Sequence, residues 1–264
     1  MMSTIAFLGG GRITGALCAG LRLGGFDEPL VVYDRNKDKL SSLRRESRVE
    51  IAHDLSSAMR SAAIVLIAVR PTSVAGLLDE MKALSERPKL CVSLAAGIPL
   101  RKLRTGTPGV QWVRAMPSPV CRVGRGLTAL CFDRRVHRKQ RTVVGRLFRR
   151  VGQVVEVPEN RFDLFTATFS SSHGYHALAR LSEAAQQAGL DRKTSLIAAA
   201  HALADGILYW RESGLSLDEL LHEAATPGGI AAATMEAMDR AGYPRVVAKG
   251  LAAGVARARG NARG

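Results

Sequence analysis

The stretch that most constrains the fold is STIAFLGGGRITGALCAGLRLGG at residues 3–25. Its apolar run from Ile5 to Leu8 has the pattern of a strand buried on both faces, as in a parallel sheet. Gly9, Gly10 and Gly11 break that strand. Ile13, Leu17, Leu21 and Leu23 then recur at helical spacing until Gly24 and Gly25 end the helix. A second strand, PLVVYDR at 29–35, ends on an acidic residue and an arginine. Strand, glycine turn, helix, strand is the beginning of a parallel sheet with helical crossovers.

That context gives the glycines a chemical meaning. Gly9 and Gly11 let the backbone turn tightly and approach a pyrophosphate, and the first amides of the helix, at Arg12 and Ile13, add donors and the positive end of its dipole. The pattern is close to G-x-G-x-x-G/A, with the bulkier Thr14 at the third position. Asp34 lies roughly 20 residues on, where an acidic residue holds the ribose hydroxyls of NAD, and the adjacent Arg35 suits the 2′-phosphate of NADP. A nicotinamide dinucleotide is expected, NADP with NAD left open.

The alternation continues. AAIVLIAVRP at 62–71 reads as a strand, TSVAGLLDEMKAL as a helix and KLCVSLAAGI as a strand, followed by VQWVRAMPSPV, GLTALCFD and GQVVEVPE. The expectation is an α/β domain with a doubly wound sheet over residues 1–158. Ligands of such sheets sit at the carboxyl ends of the strands, which are expected near Gly9, Arg70, Ala96 and Met116.

From Asn160 the character changes. FDLFTATFSSSHGYHALARLSEAAQQAGL, DRKTSLIAAAHALADGILYWRESG, LSLDELLHEAAT and GGIAAATMEAMDRAG all carry helical spacing, with Gly189, Gly214 and Gly242 where helices should stop. Residues 159–264 are expected to form an all-α domain. Several of its helices are apolar on more than one face, which predicts a homodimer through this half.

Composition removes other classes. The formal charge of +15 is concentrated in DRRVHRKQRTVVGRLFRR at 133–150, where eight Lys/Arg residues alternate with an apolar helical stripe. With aromatics at 5%, there is no base-stacking surface beside it, so it reads as a solvated helix face rather than a nucleic-acid site. Cys18, Cys91, Cys121 and Cys131 show no metal-binding spacing and read as buried free thiols. No apolar run approaches the roughly 20 residues of a membrane span, and the N-terminus lacks the features of a secretion signal, so a cytoplasmic protein is expected.

TFSSSHGY at 168–175 invites a Ser/His hydrolase reading, but a nucleophile elbow needs a preceding strand, and here the serines precede a helix in an all-α region. His173 and His176 lack the spacing for a shared metal. Ser171 or Ser172 suits a helix N-cap. The segment gains a further reading from a resemblance. FLGGGRITGAL, AVRP, VSLAAGIPL, VRAMPSPV, TFSSSHGY and TPGGIAAATMEAM occur in order across nearly the whole chain and resemble the motifs of the pyrroline-5-carboxylate reductase family. The resemblance implies an N-terminal Rossmann domain, an all-α dimerisation domain and NAD(P)H-dependent reduction of a cyclic imine. It adds Ala68, Arg70, Pro71, Ala96, Met116 and Pro117 to the cofactor side, and Ser118, Gly228, Gly229 and Ala231 to the substrate side.

The departures fall mostly on the substrate side. Ser118 stands where the family has asparagine, Arg70 where it has lysine and His173 where it has proline. Ile230 and Ala231 stand where it has threonine, which donates to the ring nitrogen. With no hydroxyl at 231, Tyr175, His173, Ser171 and Ser172 are the alternative donors. The leading expectation is a reductase of pyrroline-5-carboxylate or a related ring. Its rival is a non-catalytic or regulatory dinucleotide-binding paralogue, and a hydroxy-acid dehydrogenase is a weaker third reading.

Overall fold

The computed structural model describes residues 4–60, 62–85 and 88–262. Its strands are β1 (Ile5–Leu8), β2 (Leu30–Tyr33), β3 (Glu50–Ile51), β4 (Ile64–Ile67), β5 (Leu90–Ser93), β6 (Gln111–Pro117), β7 (Gly126–Phe132) and β8 (Gly152–Glu156). Among the described residues they form one eight-stranded sheet in the order β3-β2-β1-β4-β5-β6-β7-β8. All neighbours are parallel except β6 and β7, which run antiparallel with Arg114 opposite Cys131. A 3-10 turn at Pro119–Val123 reverses the chain between them. The first β–α–β unit is where the glycine pattern puts it, and the chain steps outward from β1 in both directions.

The helices are α1 (Arg12–Leu23), α2 (Lys37–Ser47), α3 (Leu55–Arg60), α4 (Val74–Ala83), α5 (Leu100–Gly106), α6 (Arg138–Arg149), α7 (Glu159–Thr168), α8 (Ser172–Gln187), α9 (Arg192–Ser213), α10 (Leu217–Ala224), α11 (Ile230–Arg240) and α12 (Tyr243–Asn261). Strand residues alternate between two cores, the signature of a sheet covered on both faces. Phe7, Val32, Leu66 and Val92 pack with Leu17 and Leu21 of α1, Leu40 and Leu43 of α2 and Leu147 and Phe148 of α6. Leu8, Val31, Val65 and Trp112 pack on the other side with Met59 of α3, Leu77 and Met81 of α4, Leu103 of α5 and Phe162 of α7. Each such fully buried side chain contributes about 1.5–3 kcal/mol. The basic stretch behaves as expected of a solvated helix face: Val144, Leu147 and Phe148 are buried while Arg138, Lys139, Arg146 and Arg149 are exposed.

The packing divides the chain elsewhere than at 158/159. One compact unit comprises residues 1–169 and 252–264, the other residues 170–251. Helix α7 stays with the sheet because its Phe162 is buried to 1% exposure and its acids hold a buried cation. Arg114 of β6, only 2% exposed, pairs with Glu159 at 3.1 Å and with Asp163, and its guanidinium lies 4.4 Å above the Phe162 ring. Glu159 also accepts from the Leu100 amide at 2.9 Å and from the Cys131 thiol at 3.2 Å. Losing either acid would leave the buried Arg114 charge underpaired, so by packing α7 sits with the sheet although its sequence pattern groups it with the helices that follow.

The second unit is all-α. Helices α8 and α9 pack on each other. Asp191 caps α9 through the amides of Lys193 and Thr194, and Ser216 with Glu219 forms a capping box on α10. Gly189, Gly214 and Gly242 all adopt positive φ beyond helix ends. Among the described residues no helix is long and apolar enough to cross a membrane.

Candidate active site

The glycine turn is held by hydrogen bonds on every side. The Gly9 amide donates to Tyr33 O at 2.7 Å, and the Ala68 amide donates to Leu8 O at 2.8 Å. Gly9 has φ +114°, and a Cβ there would stand 2.6 Å from Ala68 O, so no other residue fits. Its carbonyl accepts from the Thr14 hydroxyl at 2.6 Å, and Thr14 is fully buried. The bulk that makes Thr14 an imperfect match to the glycine pattern thus brings a donor that secures the turn. Gly11 faces open space, and the first turn of α1 has neither a capping side chain nor an acidic residue. An open, uncapped helix start beside a glycine turn fits a dinucleotide pyrophosphate.

Asp34 is drawn into the same turn. Its Oδ2 accepts from the Gly10 amide at 2.7 Å and its Oδ1 from the Asn36 amide at 2.8 Å. Lys39 Nζ lies 3.8 Å from Oδ2. Arg35 is largely exposed and pairs with Glu80 of α4. A carboxylate has acceptor capacity beyond two bonds, and a guanidinium has five N–H donors, so Asp34 can still receive a ribose hydroxyl and Arg35, bound to Glu80 through one nitrogen, keeps donors for a phosphate.

The other first-unit candidates share this edge of the sheet. Parallel registers set Leu8 beside Ile67, Ile67 beside Ser93 and Ser93 beside Arg114, so the segments that follow are neighbours. Ala68 follows β4, and the exposed Arg70 precedes a 3-10 turn begun by Pro71. Ala96 lies in the loop after β5. Met116 and the buried Pro117 end β6, and Ser118 starts the 3-10 turn, its amide donating to Leu127 O at 3.0 Å. Arg12 is exposed and Ile13 half-buried in the first turn of α1.

The second-unit candidates lie in two segments. At the start of α8, Ser171 occupies the N-cap position without a side-chain cap bond. The capping oxygen is that of Ser170, which receives the Ser172 amide at 3.4 Å and contacts Ser172 Oγ at 2.7 Å. Ser171 thus holds the N-cap position expected of Ser171 or Ser172, while the side-chain bond to the helix start comes from Ser170 beside it. His173 and Tyr175 are exposed on the first turn, Tyr175 at 67%. At the start of α11, Gly228 adopts φ +78° and the Gly229 amide donates to Thr226 O at 2.8 Å. Gly229 is the N-cap, with no side-chain cap and no acid in the first turn, and Ile230 and Ala231 are exposed. That is an uncapped nest able to receive a carboxylate.

Sequence reasoning missed two groups near these segments. Arg114 stands two residues before Met116, and its isolation among the apolar residues of VQWVRAMP was the available signal. Asn261, whose side chain donates to Ala96 O at 3.2 Å, gave none.

Residues 4–97 match the family described as NADP oxidoreductase coenzyme F420-dependent, and residues 159–261 match the pyrroline-5-carboxylate reductase dimerisation family. A pyrroline-5-carboxylate reductase of Mycobacterium tuberculosis is 32% identical, over 93% of this chain and 92% of that protein. The solved structure of a pyrroline-5-carboxylate reductase from Coxiella burnetii is 26% identical with a TM-score of 0.87, covering 99% of each chain. That of Plasmodium falciparum pyrroline carboxylate reductase with NADP bound is 21% identical, a likeness of fold, with a TM-score of 0.87 over 98% of each chain. Likeness of this degree along nearly the entire length means that the chain belongs to the pyrroline-5-carboxylate reductase family.

Proposed function

We propose that the protein is an NAD(P)H-dependent reductase that converts pyrroline-5-carboxylate to proline as a cytoplasmic homodimer. The observation that carries this reading is the family membership across both units, joined to a glycine turn whose backbone is built for a pyrophosphate. The matched relatives bear the name of an enzyme, which favours catalysis over the regulatory reading. The first turn of α1, with Gly9, Gly11, Arg12 and Ile13, would hold the pyrophosphate, and Asp34 or Arg35 the adenosine ribose. The solved relative from Plasmodium falciparum holds NADP, which supports NADP as the partner, with NAD still compatible with Asp34.

The nicotinamide supplies hydride to the imine carbon, and the ring nitrogen must carry a proton. The chain's own part is to bind, orient and protonate. The Gly228–Gly229 nest suits the substrate carboxylate, since amides at a helix start favour an anion. Ala231 offers no hydroxyl, and the exposed groups at the start of α8 supply what it lacks: Tyr175 and His173 as proton holders, Ser171 and Ser172 as neutral donors. Ala68, Arg70, Pro71, Ala96, Met116 and Pro117 lie on the sheet edge at the carboxyl ends of the strands as the cofactor side, with Ser118 next to them as a substrate-side group.

Purified protein given NADPH or NADH with pyrroline-5-carboxylate, and in parallel a six-membered cyclic imino acid, should consume the nicotinamide, followed by its absorbance. No turnover of either ring would sink the proposal. Tyr175→Phe and His173→Ala separate the donors: the variant that lowers kcat identifies the proton holder, and two unaffected variants place it elsewhere.

A further inference from the structure

The loop after β5 is held from the far end of the chain. Gly97 adopts φ +77°, and a Cβ there would stand 2.0 Å from Ala258 O and 3.0 Å from Asn261 Cβ. The last turns of α12 therefore lie directly against the loop backbone, at a separation only glycine permits. Asn261 Nδ2 donates to Ala96 O at 3.2 Å across 165 residues of sequence. Lys102 Nζ, near the start of α5, donates to Ala262 O at 3.4 Å and sets a positive charge at the carboxyl end of α12, where the helix dipole favours it. Ala258 itself is buried at 7% exposure. These contacts explain why residues 252–264 belong to the first compact unit although residues 170–251 do not.

The Ala96–Gly97 peptide is planar, so fixing its carbonyl fixes its N–H in the opposite direction, away from α12. The loop sits at the carboxyl end of β5, between those of β4 and β6, on the edge where the glycine turn also lies. Resting on the nicotinamide-dependent reading above, we infer that Asn261 is a positioning residue for the cofactor. It sets the Ala96–Gly97 peptide, and that peptide sets the nicotinamide end. The consequence is that cofactor affinity depends on a side chain at the extreme carboxyl end of the chain.

The test uses the full-length protein and begins with titration of NADPH and NADH by nicotinamide fluorescence, which needs no turnover. Asn261→Ala frees the Ala96–Gly97 peptide and should weaken cofactor binding about five- to tenfold through loss of that peptide's fixed orientation, with a matching rise in cofactor KM. The imine KM should stay at its wild-type value, and the melting temperature should fall by only about 2–4 °C, the cost of one part-buried hydrogen bond. Asn261→His, which keeps a ring N–H in place of the amide donor, should recover most of the affinity. Cofactor affinity within about twofold of wild type in Asn261→Ala overturns the inference. So does a variant in which both KM values rise together and the melting temperature falls further than that, since that is a structural role only. Wild-type protein that binds neither nicotinamide overturns the function reading and this inference with it; wild-type binding that Asn261→Ala leaves unchanged overturns this inference alone.

Discussion

The hydroxyl of Thr14 donates to the carbonyl oxygen of Gly9 at 2.6 Å, with Thr14 fully buried. The glycine whose positive φ makes the turn is thus tied to the first turn of the helix it introduces. A small residue at position 14 would allow close packing but leave the Gly9 carbonyl without this partner.

Thr14→Val keeps the shape and deletes the donor. Leaving a buried acceptor unsatisfied costs about 1–3 kcal/mol, so the urea unfolding midpoint should fall accordingly and NADPH affinity should drop. Thr14→Ser should restore both. A valine variant as stable as wild type would show that the hydroxyl contributes nothing to the turn.

Asp133 is expected to govern part of the acid stability. Burial pushes its carboxyl up, but the Arg135 amide, donating at 2.9 Å, and the Arg104 guanidinium outweigh burial and hold it below the usual carboxylate range. A folded pKa below the unfolded value of about 3.9 gives stability that is fully present above that value and lost as pH falls through the folded one. Asp133→Asn should therefore be less stable than wild type at neutral pH and show a shallower loss below about pH 4. Parallel acid limbs in unfolding free energy measured from pH 7 downward would contradict this assignment.

The thiols are expected to be inert in the folded protein. Burial raises Cys18 and Cys131 to about 12 and Cys121 to about 11, and pushes Cys91 up as well. At pH 8 a thiol of that kind is on the order of 0.1% thiolate or less, and the thiolate is the reactive form. A chromogenic disulfide reagent should label none of the four cysteines in native protein within minutes and all of them in guanidinium. Rapid native labelling of one site would locate an opening that the packing does not provide for.

Helix α9 carries Ile207, Leu208, Tyr209 and Trp210 at 58%, 54%, 56% and 47% exposure. Four consecutive residues span a full turn, so the helix is apolar on every side there and requires cover. Sedimentation velocity should show a dimer or larger assembly, and Leu208→Glu should shift it towards monomer and lower the melting temperature in a concentration-dependent way. A wild-type monomer at micromolar concentration would remove the assembly from the proposed function.

Patterns that are local in the chain were legible from the start. The apolar runs of β1, β4 and β5, the glycine turn, the stripe of α6 and the glycine stops at 189, 214 and 242 each depend on residues a few positions apart, because strand and helix periods and backbone permissiveness act over that range. The family motifs extended this reading to the candidate site, residue by residue. Helical spacing could not say which body α7 joins, since an amphipathic helix shows that it has an apolar face without showing what covers it.

The sequence by itself thus determined a parallel sheet opened by a glycine turn, an all-α second half and the residue types available for imine reduction. Only the tertiary structure decided that Thr14 secures Gly9, that Arg114 draws α7 onto the sheet through Glu159 and Asp163, and that Asn261 reaches back 165 positions to Ala96. The buried pair and the tail contact share one physical cause. A buried charge or carbonyl must find a partner in space, and no periodicity along the chain records which distant residue the fold will bring to it.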